Sequence, residues 1–503
     1  MIIFCEHFEI DAYRVFKDQL PAGCSVALVT FQSLSPGISN NDNNIYTANE
    51  VSRGVFFDDD LWVLNETDLI HYEKTKGIFL NVLSRFAYTP DVFSVEEMAE
   101  HYLKLINFWT NKILTLKPDA IFESYLPHLP SSFALFLVSK YLRIPYIFLD
   151  FGPAYKVKYF SCSYRERMLL AHYHGGSRNQ EILDIGAYIN SLITDNDLGA
   201  IPEIKQLLNE KPINPIFKFI RAIRNYFPYS FSNILRGKIQ KINAHEASDN
   251  NSWIKATRRA WSHPNSQAKG HWEFARLNGL IKKANGRNKI AYRRLCVNLA
   301  SDTKYIYYAA HYMPEGGTLP SALELRHQFP FLKMLSDCLP TGWVIAFKEN
   351  PVQFQTLSFV SPIFKSEFYY EELAKIKNLV FVAENIPSSE LIPNSMGVAT
   401  INGTIGIEAP YRGKYVFISA SNYHESLDGV IRVRCKKDIE RGIELMISGK
   451  PPNPQVEQLG FKSNFIQVEN FTCPTENDYI AMSKGFFTAL EDFKQLDDRK
   501  WEL

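Results

Sequence analysis

The stretch from 397 to 425, GVATINGTIGIEAPYRGKYVFISASNYHE, constrains the fold more than any other. Its apolar runs at 397–400 and 415–419 are short and continuous, so they read as strands buried on both faces. A helix over about 405–412 lies between them. Strand, helix and strand with short links make a right-handed crossover in a parallel sheet. Ligands of such sheets sit beyond the carboxyl ends of the strands. The loop Asn402-Gly403-Thr404 therefore falls on the binding side. Gly403 lets the backbone approach a ligand closely, and amides at a helix start suit a phosphate. Glu408, early in the helix, is placed to receive the two hydroxyls of a ribose or sugar. A nucleotide-sugar has both groups. An ordinary strand–helix–strand unit with a glycine turn accounts for the same residues without any ligand.

The same rhythm occupies most of the chain. Strands are expected at 1–5 and 25–30 with a helix over 10–20 between them. A helix over 95–116, a strand at 119–123, a helix over 131–142 and a strand at 145–150 complete a Rossmann-like first domain, 1–160. The alternation returns at 305–309 (strand), 322–339 (helix), 343–347 (strand), 369–377 (helix), 379–382 (strand) and 388–392 (helix). The opening stretch follows, then a strand at 430–433 and a helix over 437–448, for a second domain of 300–475. The last segment, 476–503, reads as one amphipathic helix over 476–493. The middle, 161–299, is polar, helical and broken by Pro212, Pro215, Pro228 and Pro264. At 503 residues the chain exceeds one compact core, so two α/β domains with a helical basic insertion are expected.

Charge and cysteines narrow the function. A net charge of +1 argues against a general polyanion binder, and no recognition motif supports nucleic acid. The middle segment is locally basic, with Lys218, Arg221 and Arg224 among Phe217, Phe219 and Phe227. Such a segment suits an anionic membrane or a polyanionic glycan. It equally suits an insertion whose aromatics face a core and whose charges face water. The seven cysteines are scattered and never paired as C-x-x-C, which favours reduced thiols and gives no support for zinc. MIIFCEHFEIDAY is too acidic for a signal peptide, and no run approaches the roughly 18 apolar residues of a spanning helix. A cytoplasmic protein, at most peripheral to the inner face of the membrane, is the expectation. Asp58-Asp59-Asp60 has the look of a cluster of metal-binding carboxylates. Lying between apolar runs, it reads rather as a solvated turn, and no metal or other cofactor is expected.

Three loops follow strand ends in the second domain: HYMPE (311–315), KENP (348–351) and NGT (402–404) with Glu408. Glycosyl transfer from a nucleotide asks for donors that stabilise a departing phosphate. Lys348 and the helix start at Thr404 can supply them, and His311 can donate to a phosphate or sugar oxygen. Glu315 or Glu349 can position sugar hydroxyls or shield charge at the anomeric carbon. Glu123 or His128, at the carboxyl edge of the first domain, can serve as base for an acceptor hydroxyl. Singly, each has a structural reading: Lys348-Glu349 as a surface pair, His311 as a packed histidine. The candidates are thus Glu123, His128, His311 and Glu315 for catalysis. Lys348, Glu349, Asn402, Gly403, Thr404 and Glu408 are the candidates for the nucleotide-sugar.

These segments carry a resemblance. HYMPEGGTLP, FKENP, and ATINGTIGIEA with its Arg-Gly-Lys turn resemble the bacterial capsule polysaccharide biosynthesis proteins, a group that includes β-Kdo transferases. The likeness spans about 305–425. It implies a GT-B-like fold, with two Rossmann-like domains facing a cleft and the nucleotide-sugar in the C-terminal one. It also implies a CMP- or UDP-linked donor, a glycan or glycolipid acceptor at a bacterial surface, and no obligatory metal. The chain departs at Asn350, where the family pattern has the histidine of a His-Pro pair that contacts the nucleotide's phosphate. GTIGIEAPYRGK is also similar to the Ser-Gly-Gly-x-x-Glu-Glu-Ala-Pro segment of UDP-N-acetylglucosamine 2-epimerases, with one glutamate where those have two. A third class, a glycan-binding or assembly protein that keeps the GT-B shell without turnover, fits the same segments.

Overall fold

A computed structural model describes residues 1–31, 45–53, 61–84, 95–151, 157–164, 270–315, 318–354, 364–455, 465–467, 476–496 and 498–501. The first domain runs β1 (Ile2–Phe8), α1 (Ile10–Asp18), β2 (Ser25–Phe31), β3 (Ile45–Thr47), α2 (Ala48–Arg53), α3 (Glu66–Ser84) and α4 (Val95–Leu116). β4 (Ala120–Glu123), α5 (Pro130–Tyr141), β5 (Tyr146–Phe151) and β6 (Val157–Ser161) follow. Along α4, Tyr102, Leu105, Ile106, Trp109 and Ile113 recur at helical spacing and are buried in the core of the first domain. α5 has no polar stripe and is buried from Pro130 to Lys140. Pro130 occupies its first turn, where a missing amide costs nothing.

The second domain begins with α6 (Gly270–Leu295), then β7 (Lys304–Ala309), α7 (Gln328–Cys338), β8 (Trp343–Lys348), α8 (Glu367–Leu373) and β9 (Leu379–Val382). It continues with α9 (Ser388–Asn394), β10 (Gly397–Thr400), α10 (Ile405–Tyr411), β11 (Val416–Ile418), β12 (Val430–Arg432) and α11 (Lys436–Ser448). β13 (Phe465–Gln467) and α12 (Glu476–Gln495) come after it.

The two sheets share one logic. The first has the order β13-β6-β5-β4-β1-β2-β3, parallel from β3 through β5, with β6 and β13 added antiparallel. The second has the order β12-β11-β10-β7-β8-β9 and every recorded pairing is parallel. Read from its far edge, the second is the 3-2-1-4-5-6 order of doubly wound nucleotide-binding sheets. The first repeats the 3-2-1-4-5 part. The expected pair of Rossmann-like α/β domains is therefore present.

Three boundaries move. β13 pairs with β6, and α12 buries Tyr479, Met482, Phe486, Leu490 and Phe493 in the core beside α1. Residues 465–467, assigned from sequence to the second domain, thus belong to the first sheet, and the C-terminal helix is part of the first domain's core. α6, assigned to the basic insertion, packs into the second domain instead. Its Tyr292 is fully buried there and donates its hydroxyl to the carbonyl of Val382 at 2.5 Å. The helix expected over 322–339 breaks into a 3-10 turn, Leu323–Arg326, and α7, because His327 is extended between them. The membrane-facing candidate at 214–241 and Asp58–Asp60 lie outside the described residues. Among the described residues no helix is long and apolar enough to cross a membrane.

Candidate functional site

In a sheet of this order the crossovers leave in opposite directions from its two central strands, and a crevice opens at their carboxyl ends. Those strands are β7 and β10. Thr400, the last residue of β10, donates its hydroxyl to the carbonyl of Ala309, the last of β7, at 3.1 Å. His311 follows β7 and is buried against this junction. Its Nδ1 lies 3.2 Å from Glu315 Oε1, and its Nε2 lies 3.1 Å from Thr400 Oγ1 and 3.4 Å from the amide of Asn402. A carboxylate only accepts, so ionised Glu315 keeps a proton on Nδ1. Nε2 then has two exclusive arrangements. As a lone pair it accepts the Asn402 amide. As N–H it donates to Thr400, whose own proton is on Ala309, and the ring carries a positive charge.

The 311–315 loop is clamped from beneath. Gln328 accepts from the amide of His311 and donates to its carbonyl, both at 3.3 Å. Gln353 does the same for Met313, at 2.7 and 3.1 Å. Lys365 Nζ donates to the carbonyl of His311 at 2.5 Å.

The 402–404 loop stands across from this histidine. Its Asn402 carbonyl accepts from Asn422 Nδ2 at 2.6 Å. A Cβ on Gly403 would lie 3.2 Å from Thr400 Oγ1 and 3.4 Å from His311 Nε2. Close approach, rather than an unusual φ, is what selects glycine there. Thr404 is exposed and begins α10 without capping it through its side chain. Among the described residues no acceptor meets the amides of Gly403, Thr404 or Ile405. Glu408 is buried and pairs with Arg412 Nε at 3.0 Å. Burial raises its pKa, while Arg412 and then Lys348 pull it back.

The remaining candidates are placed differently from expectation. Glu349 is not a surface or sugar-facing carboxylate. It is fully buried, paired with Lys365 Nζ at 3.0 and 2.9 Å, and accepts from the Tyr370 hydroxyl at 3.0 Å. Its oxygens are spent on holding the loop. Lys348 donates to the carbonyl of Ile386 at 2.8 Å and to Ser388 Oγ at 3.1 Å, over the ring of Tyr307. Two of its three protons tie β8 to Ile386 and to Ser388, the first residue of α9.

Glu123 is fully buried at the central junction of the first sheet, in register with Glu6 of β1, and accepts from the Tyr146 hydroxyl. Burial, then the neighbouring Glu6, raises its pKa well above the carboxylate range. Glu6 accepts from Thr30 Oγ1 at 2.5 Å, and burial pushes its pKa up to about 8. Fully buried, bonded to Tyr146 and in register with Glu6, Glu123 is not placed as a ready base for an acceptor. His128 is half-buried, and its Nδ1 donates to the carbonyl of Leu126 at 2.7 Å. A carbonyl only accepts, so this contact keeps a proton on Nδ1.

The sequence reading missed Thr400, Gln328, Gln353, Lys365 and Glu6. Thr400 was within reach, since it ends the strand before the loop. The others carry no local signal, because each acts on a backbone or carboxyl far along the chain.

No family model and no curated protein sequence matches the chain. Among solved structures it is similar to UDP-GlcNAc 2-epimerase from Neisseria meningitidis bound to UDP-GlcNAc, at 12% identity over 98% of this chain and 100% of the other, TM-score 0.21. It is also similar to HepE from Anabaena in complex with UDP and glucose, at 9% identity over 98% of each chain, TM-score 0.22. A third is the wall teichoic acid polymerase TagF, at 10% identity over 99% and 90%, TM-score 0.21. These neighbours are nucleotide-sugar and related transfer enzymes. The fold itself follows from the strand order of the two sheets.

Proposed function

We propose that the chain is a glycosyltransferase of GT-B type that moves a sugar from a nucleotide-sugar donor to a bacterial surface polysaccharide or glycolipid. The observation that carries this is the convergence of His311, Glu315, Thr400 and the 402–404 amides at the central junction of the second sheet. The amides of Gly403 to Ile405, which meet no acceptor among the described residues, serve as donors for a phosphate, and Glu408 receives ribose hydroxyls. His311, held by Glu315 at Nδ1 and by Thr400 and the Asn402 amide at Nε2, joins the two loops and in its doubly protonated form sets a positive charge beside the departing phosphate. With Glu123 buried, His128 is the base assigned to the acceptor hydroxyl. No step is assigned to a metal. The resemblance of the 305–425 segment to capsule enzymes supports a CMP- or UDP-linked donor, with Kdo or another acidic sugar as the transferred group. The basic, aromatic composition of 214–241 supports work at the inner face of the membrane, where a glycolipid acceptor lies.

Calorimetry with UDP and CMP, on wild type and His311→Ala, tests the reading. One nucleotide is expected to bind wild type and to bind the variant about tenfold or more weakly, the worth of one charge-assisted contact. Wild type that binds neither refutes it. Conversion of UDP-N-acetylglucosamine to its C2 epimer, with no acceptor present, would replace transfer by epimerisation on the same site.

A further inference from the structure

Arg326 ends the 3-10 turn that separates the 311–315 loop from α7. It is 7% exposed and is the only buried arginine among the described residues. Its Nη1 donates to the carbonyl of Leu323 at 2.8 Å. Its Nε is buried with no acceptor, and among the described residues no carboxylate forms an ion pair with it. A guanidinium cannot discard its proton to escape this situation. Taking one out of water without a paired counter-charge is strongly unfavourable. Burial accordingly disfavours the charged form, and Glu324 offsets only part of that. The turn is also strained, since Leu323 holds a φ of +46°, a conformation that a branched side chain rarely adopts. A structure that keeps both the strain and the unpaired charge has a use for them.

The position says what the use is. Two residues on, Gln328 is bonded to the backbone of His311. Four residues back, Ala322 packs with Ile401, which precedes Asn402. Leu323 itself inserts into the apolar cluster of the first domain. The short segment that carries Arg326, 322–328, thus touches the His311 loop, the residue before the 402–404 loop and the core of the first domain.

We propose that Arg326 is a second anion-binding group of this site, supplying its guanidinium edge to an oxyanion of the incoming substrate. The proposal rests on the nucleotide-sugar reading and deepens it. Two oxyanions have the right chemistry: a phosphate of the nucleotide, or the carboxylate of an acidic sugar. Guanidinium matches either with paired N–H donors.

The test uses the full chain with four probes: UDP, CMP, inorganic pyrophosphate and a free 3-deoxy-2-ulosonic sugar acid. Arg326→Met is compared with wild type by calorimetry and by thermal melting. Loss of about 10- to 100-fold in affinity for the nucleotide and pyrophosphate assigns the phosphate. Loss confined to the sugar acid assigns the carboxylate. The unliganded variant is expected to melt at or above the wild-type temperature, because an uncompensated buried charge has been removed. A merely structural arginine would lower it. Affinities for every probe within twofold of wild type overturn the role of Arg326 while leaving the nucleotide-sugar reading intact. Wild type that takes up none of the four overturns both. Should Arg326→Met fail to fold, Arg326→Lys decides, since it keeps the charge and loses the fork. Undiminished affinity in that variant also overturns the proposal.

Discussion

Raising the pH should weaken this fold in a way that Glu6 and Glu123 control. Both are fully buried and face each other across β1 and β4. In the folded chain Glu6 titrates near 8, against an ordinary value of 4.5, and Glu123 is raised well above that value. Between about pH 5 and about pH 8 the folded state therefore binds more protons than the unfolded one. Stability then falls as pH rises, by up to about 1.4 kcal/mol per pH unit for each such carboxyl. The penalty is absent below the unfolded value and complete above the folded one. Glu6→Gln keeps an acceptor for Thr30, removes one titration and relieves Glu123 of a neighbouring charge. Urea unfolding at pH 5.5 and pH 7.5 isolates the effect, because histidines elsewhere contribute equally to both proteins. From the lower to the higher pH, the stability of Glu6→Gln relative to wild type should increase by about 1–3 kcal/mol, the two pH units multiplied by that slope. Unfolding curves that stay parallel across this window would refute the protonated pair and restore Glu123 as an ionised group. Because the two carboxyls interact, the transition belongs to the pair rather than to either residue.

Gly406→Ala should cost about 1–3 kcal/mol in urea unfolding, because its Cβ would lie 2.2 Å from Nε2 of the fully buried His424. Gly403→Ala, with no contact closer than 3.2 Å, should cost less and act mainly on nucleotide affinity. Lys365→Met leaves the Glu349 carboxylate buried without its partner, and a loss of about 3–5 kcal/mol is expected in the same assay. A loss under about 1 kcal/mol would show that Tyr370 and the Asn350 amide suffice. Glu408→Ala should weaken nucleotide binding by about 1–3 kcal/mol in calorimetry; unchanged affinity in a folded variant removes Glu408 from the site.

The second sheet was legible because its strands are short, apolar throughout and fenced by polar turns. β9 and β10 fall at the residues expected from that pattern alone. The central junction was legible for the same reason, since the order of strands and helices dictates which loops meet. What the pattern does not contain is which way a polar side chain at a strand end turns. Glu349 follows β8 and looks like half of an exposed Lys-Glu pair, yet Lys365, on a separate segment, draws it inward. Glu123 reads as an edge carboxylate until Glu6, 117 residues earlier, takes the adjacent place in the sheet. β13 escaped for a related reason. Its three residues pair with β6, about 300 positions away, and no local periodicity records such a partner. The break at His327 was hidden by apolar residues whose spacing suits one helix.

The return of α12 to the first domain has a consequence for how the chain is made. Tyr479 reaches back to donate its hydroxyl to Glu9 at 2.8 Å, and Phe486 stacks on Phe122 of β4. On the ribosome, β1 and α1 emerge hundreds of residues before the helix that seals them. β7 through α11, by contrast, form an uninterrupted run that can close as soon as it is clear of the exit tunnel. Assembly is thus expected to proceed out of chain order, the second domain finishing first. Until synthesis reaches α12, Phe16, Phe122 and Phe160 stay uncovered on one face of a half-built sheet, a surface for chaperones to shield.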